Sequence, residues 1–207
     1  MDLSVLLDPL DLPRVSQVLD ELGHPGRLAT IYGWDLAVMS SLYEAMAGYH
    51  PVTIADFVPP GTQPLTEVIH HGKNSLPAFS HFQKRFCRPE GDEPSVLWGY
   101  NENPPLVMWF AGAGYYLARD SAPGEVSIDY RHIPPAKPSS WPDALTKNER
   151  GFGPRAVYGN MIDVMRGLSR NVSIGRAKRV KDPGNPEAAE WIDAWFVLCR
   201  EDAASPT

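Results

Sequence analysis

The chain has 207 residues with 43% hydrophobic and 21% charged residues, an ordinary balance for a globular domain of this length. No run of about 18 apolar residues is present to span a bilayer as a helix. A formal net charge of −6 argues against a protein built as a whole to bind nucleic acid, since phosphate neutralisation needs clustered Lys and Arg.

The start, Met1-Asp2-Leu3-Ser4, lacks a basic secretory n-region and its apolar run stops at Asp8, so a cytoplasmic location is the expectation. The two cysteines, Cys87 and Cys199, form no CxxC pair and indicate neither a disulfide scaffold nor a zinc ribbon. Proline, at 21 residues, is about twice the average usage of roughly 5%. It falls between periodic segments and marks stiff connections.

In chain order, Pro13 suits a first helical turn, and Val15, Val18, Leu19 and Leu22 recur at helical spacing up to Gly23. After His24-Pro25-Gly26, a second helical region carries Leu36, Met39, Tyr43 and Met46 on one face and stops at Gly48. Residues 1–50 are therefore expected to form a helical layer. Pro51, Pro59, Pro60 and Pro64 cut the next segment, in which Leu65 to His71 reads as an edge strand. Ser75 reads as an N-cap before Pro77, with Leu76, Phe79 and Phe86 on a short amphipathic helix that ends before Pro89.

The strongest strand signals follow. Val96, Trp98 and Tyr100 alternate with smaller or polar residues, and so do Val126, Ile128 and Tyr130 with Ser127, Asp129 and Arg131. Between them, residues 106–118 are apolar, aromatic and Gly-containing, which reads as a central strand. The three runs predict an antiparallel meander. Residues 134–154 form a Pro-rich loop, and loops this long within a domain are commonly functional. Pro154 opens a predicted helix with Val157, Met161, Val164, Met165 and Leu168 inside and Asn160, Asp163 and Arg166 outside. Two last strands are expected near Val172 to Lys178 and Ile192 to Cys199. The predicted fold is α+β, one domain over 1–207, with a sheet core in 94–201. Its antiparallel sheet would have five to six strands with helices packed on one side.

No GxSxG elbow, GxxxxGK(S/T) phosphate loop or HExxH zinc helix occurs, and no cofactor is implied. Gly112-Ala113-Gly114 begins like a dinucleotide loop but lacks the third small residue and sits inside the predicted central strand instead of opening a helix. A better reading makes Ala111 to Gly114 the bulk-free floor of an apolar pocket, against an alternative in which a helix packs closely there. Trp98, Tyr100, Trp109, Gly112, Gly114, Tyr115 and Trp195 would line that pocket, with Arg131 anchoring an anionic group and the loop around Trp141 as cover. The expected partner is a small apolar or aromatic ligand. If the pocket is an active site, Asp129, His132 or Tyr116 supplies the acid or base for isomerase, cyclase or lyase chemistry without a cofactor. The plainer reading makes Asp129 and Arg131 a solvated pair.

Adjacent His70 and His71 point to opposite faces of a strand and cannot share a metal, and no His spacing matches a metal motif. Cys87 and His81 are too ill-placed for a nucleophile and base. The basic run Arg166, Arg170, Arg176, Lys178, Arg179 and Lys181 is a third possible locus, as an interaction surface, against the reading of solvated structural charge. Sequence leaves open the ligand, the presence of catalysis and the oligomeric state.

Overall fold

A computed structural model of the chain describes residues 10–76, 80–91, 95–142, 148, 151–182, 185 and 188–202. Three helices come first: α1 (Leu12–Glu21), α2 (His24–Tyr32) and α3 (Leu36–Ala45), followed by a single turn, α4 (Ile54–Phe57). Strands β1 (Val68–Asn74), β2 (His81–Cys87) and β3 (Leu97–Glu102) lead to helix α5 (Pro105–Ala111). Then come β4 (Tyr116–Asp120), β5 (Val126–Asp129), helix α6 (Phe152–Tyr158), β6 (Met161–Gly167), β7 (Val172–Val180) and β8 (Ala189–Arg200).

The eight strands form a closed antiparallel barrel in sequence order, with β8 pairing back onto β1. Closure corrects the expected open sheet of five to six strands, and it removes the edges that such a sheet would have to protect. The expected edge strand at Leu65 to His71 is β1, which pairs on both sides, with β2 and with β8. The expected helix across Leu76 to Phe86 is largely β2, with Phe82, Lys84 and Phe86 on one face; Pro77 and Phe79 lie outside the described residues.

Two more corrections concern apolar runs whose period misleads. Residues 106–118 are not one strand. Pro105 occupies the first turn of α5, where its missing N–H costs nothing, and Gly112 at φ 71° ends the helix. The aromatics of α5 are exposed at the barrel end, 82% for Trp109, so they do not report a buried strand. The predicted helix from Pro154 to Leu168 divides at Asn160, which takes φ 55°. Beyond it, β6 is buried on both faces, so its apolar residues imitate a helical stripe.

The barrel is packed inside and out. Across its outer wall lie α1–α3, where Val15, Leu19, Ile31, Met39 and Leu42 meet Val172, Ile174, Val197 and Cys199. Asp11 and Asp35 cap α1 and α3 through the amides of Arg14 and Val38. One end of the barrel is filled. There Phe57 of α4 packs with Phe86, Leu97, Val126, Met165 and Leu198, and its carbonyl accepts a hydrogen bond from His70 Nε2 at 2.9 Å. Gly99 of β3 makes room for a ring inside the barrel. A Cβ there would stand 2.1 Å from Tyr116.

Candidate functional site

The other half of the barrel interior is hollow. A cavity of about 720 Å³ opens between α5 and α6, within the roughly 300–1,000 Å³ typical of small-molecule sites. Its walls are apolar: Phe82, Val107, Phe110, Tyr158, Met161, Ala177 and Phe196. Leu106, Trp109 and Val157 carry the apolar lining out to the surface.

At the base, four polar side chains converge from four strands or strand ends. Lys84 of β2 donates from Nζ to Asp163 Oδ2 of β6 at 3.0 Å, to Asn101 Oδ1 of β3 at 3.0 Å and to the Tyr130 hydroxyl just past β5. The Tyr130 hydroxyl donates to Asp163 Oδ2 at 3.1 Å. Asn101 Nδ2 donates to Tyr130 Oη at 3.1 Å and to the Gly114 carbonyl at 3.2 Å. Each inward position follows the strand alternation: Phe82, Lys84 and Phe86 on β2, and Met161, Asp163 and Met165 on β6.

The floor is buried and electrically matched. Lys84 and Asp163 are 2% and 3% exposed, and the ammonium lies within 5.7 Å of the rings of Phe82, Tyr116, Tyr130 and Phe196. Burial lowers the Lys84 pKa, while the adjacent Asp163 carboxylate pushes it back up. Burial, with Asp163 next, raises the Tyr130 hydroxyl well above its usual range, so it remains a neutral donor. Tyr130 stacks on Tyr158 of α6 with 5.3 Å between ring centroids, and Tyr158 accepts from Asn103 Nδ2 at 2.9 Å. The floor is thereby tied to the helix at the mouth.

The pocket residues expected from sequence divide between three places. Trp109 stands at the mouth and Trp195 borders the cavity, but the Trp195 ring packs in the outer helical interface beneath the Arg176 guanidinium, 4.6 Å away. Trp98, Tyr100 and Tyr115 lie outside the barrel in a separate cluster with Cys87 and Trp141. The Pro-rich loop thus covers that outer cluster at Trp141; residues 143–147, 149 and 150 lie outside those described. Gly112 has open space beside it, and a Cβ on Gly114 would stand 2.4 Å from the Tyr158 ring. Gly114 is therefore a close helix contact, and its carbonyl orients Asn101.

Asp129 points outward from β5, where it accepts from Arg131 Nε at 2.9 Å and Nη2 at 2.7 Å. His132 Nε2 lies 3.8 Å from the same carboxylate. This trio does not reach the cavity. Tyr116 does point inward, but it is packed below the floor and donates to the Arg85 carbonyl at 3.2 Å. Cys87 is buried away from His81, and burial pushes its thiol up to about 12. The basic run disperses over both faces of β6 and β7: Arg166 pairs with Glu125, Arg176 with Glu44 and Lys181 with Glu190.

No sequence motif marks Lys84 or Asn101 as a site residue, and Asp163, expected on the outside of a helix, is buried inside the barrel. For Lys84 and Asp163 the signal is a charge in the middle of an apolar inward phase, Phe82-x-Lys84-x-Phe86 and Met161-x-Asp163-x-Met165; Asn101 has no comparable signal. No helix among the described residues is long and apolar enough to cross a membrane. No protein-family model, curated protein or solved structure matches the chain.

Proposed function

We propose that the barrel binds a small, largely apolar molecule whose single polar end rests on the Lys84–Asp163–Tyr130–Asn101 floor. The observation that carries this is a barrel packed in one half and hollow in the other, with largely apolar walls and a buried cluster of four hydrogen-bonded polar side chains at the base, while Asn74, Ser75, Asn103 and Arg179 also border the cavity. The floor defines the polar end. Lys84 is already neutralised by Asp163 at 3.0 Å, so a carboxylate brought there would be desolvated without a free countercharge. A neutral hydroxyl or carbonyl exchanges hydrogen bonds with Tyr130 and Asn101 and leaves the charge balance intact.

An enzymatic use of the same cavity is the second reading, favoured by the presence of a buried amine, carboxylate and phenol within hydrogen-bonding reach of one another. Lys84 and Asp163 would then be the proton-transfer pair, in place of Asp129 and His132. Both readings need the cavity to admit a ligand.

The test is titration with a neutral hydrophobic fluorophore, with Ala177→Phe as the blocking variant. Ala177 lines the cavity wall, so the added ring enters empty space. The parent should show saturable binding at one site, and Ala177→Phe should lose it while keeping its urea midpoint. Binding that survives unchanged in Ala177→Phe would place the fluorophore elsewhere and remove support for the reading.

A further inference from the structure

A second constellation lies on the outer wall, where ladder pairing sets His71 of β1 opposite Cys199 of β8. Glu201 follows two residues after Cys199, its amide still bonded to the Ile69 carbonyl at 2.9 Å, so its side chain returns to the same face. His70 points inward and takes no part. The first residue of α2, His24, lies over this patch, its ring centroid 5.3 Å from that of His71.

His71 Nε2 is 2.6 Å from Glu201 Oε1, and one ligand atom from each of His24, His71 and Glu201 falls within 4.8 Å of the others. Ligands about 2.0–2.2 Å from a tetrahedral zinc ion stand roughly 3.3–3.6 Å apart. Small side-chain rotations would therefore bring these three atoms onto one ion. Cys199 Sγ lies beneath, 3.7 Å from His24 Nδ1.

We infer that His24, His71 and Glu201 form a site for a divalent transition ion, zinc being the best match, which fastens the start of α2 to the β1–β8 seam. Two imidazoles and one carboxylate are a recognised zinc ligand set that leaves a fourth position for water. The nearby cations are engaged by other acceptors: Arg27 by Asp202 and the Leu22 carbonyl, Arg200 by the Asp56 carbonyl and Asn171. The site shares no residue with the cavity and does not depend on what the cavity binds.

Calorimetric titration of the chelator-stripped full chain with zinc chloride tests it, alongside thermal melts with and without zinc. One equivalent should bind per chain, and the melting temperature should rise with zinc concentration. His24→Ala, His71→Gln and Glu201→Gln should each weaken binding by about tenfold or more. His132→Ala, which removes an imidazole beside Asp129 just past β5, should leave binding unchanged. Urea midpoints without zinc establish that each variant is folded. No heat and no melting shift in the parent, or parent-like affinity in both His24→Ala and His71→Gln, would reduce the cluster to an ordinary His–Glu hydrogen bond and overturn the inference.

Discussion

Replacing Lys84 with Met removes the charge from the cavity floor while keeping a stem of similar length. In the parent, the ammonium donates to Asp163 and Asn101, each at 3.0 Å, and to Tyr130. After substitution the Asp163 carboxylate stays buried with the Tyr130 hydroxyl at 3.1 Å as its remaining side-chain donor. Breaking one side of a buried ion pair typically costs about 3–5 kcal/mol, because the other charge is left uncompensated. Asp163→Leu strands the ammonium in the same way. In the double variant neither charge remains, so its loss should fall well below the sum of the two singles, with a coupling of about 2 kcal/mol or more. Urea unfolding at pH 7, followed by far-UV circular dichroism and tryptophan fluorescence, reads all four corners of the cycle. A Lys84→Met loss under about 1 kcal/mol, or singles that add to within about 0.5 kcal/mol, would show that the two groups do not form a coupled pair.

Two further outcomes are expected. Burial holds the His70 imidazole neutral, its pKa lowered to about 3, whereas in the unfolded chain it titrates near 6.5. Between those values the unfolded state binds the extra proton, so stability is intact above about pH 6.5 and falls by up to about 1.4 kcal/mol per unit as the pH drops. His70→Phe should flatten that acid limb between pH 6 and 4 in urea unfolding, and an unchanged slope would clear His70 of the effect. Gly99→Ala should cost about 1–3 kcal/mol, since its Cβ would stand 2.1 Å from the Tyr116 ring. Parent-like thermal stability would mean that the ring can lie elsewhere.

Where one face of an element is apolar and the other polar, the sequence was readable. Val126, Ile128 and Tyr130 alternate and are the inward residues of β5 and its end, and Val15, Val18 and Leu19 make the buried stripe of α1. Where both faces are covered, the period disappears. Met161, Val164, Met165 and Leu168 fit a helix by spacing, yet they run through a strand and its turn because the barrel lining and the outer layer bury both sides of β6. The α5 segment failed for the opposite reason: its aromatics line a cavity mouth, so hydrophobicity there reports a hollow and not a core. Closure itself has no local signature, since the β1–β8 pairing joins residues such as His70 and Arg200 that are far apart in the chain.

The candidate site inherits that non-locality. Read alone, Lys84 falls in a segment that resembles a short amphipathic helix, and Asp163 between Met161 and Met165 looks like the outside of another. Each is costly to bury by itself, and only the closed barrel, with β3, β4 and β5 between them, brings the two to 3.0 Å. Asn101 and Tyr130 come from those intervening strands and satisfy the remaining hydrogen-bonding capacity of the pair. A floor of apolar residues would close the barrel at lower desolvation cost, because replacing a buried ion pair by packed hydrophobic side chains is often neutral or stabilising. The polar floor is therefore poorly explained by stability alone. It sits where the packed half of the barrel meets the hollow half, at the base of the cavity, where its hydrogen-bonding groups face the open space.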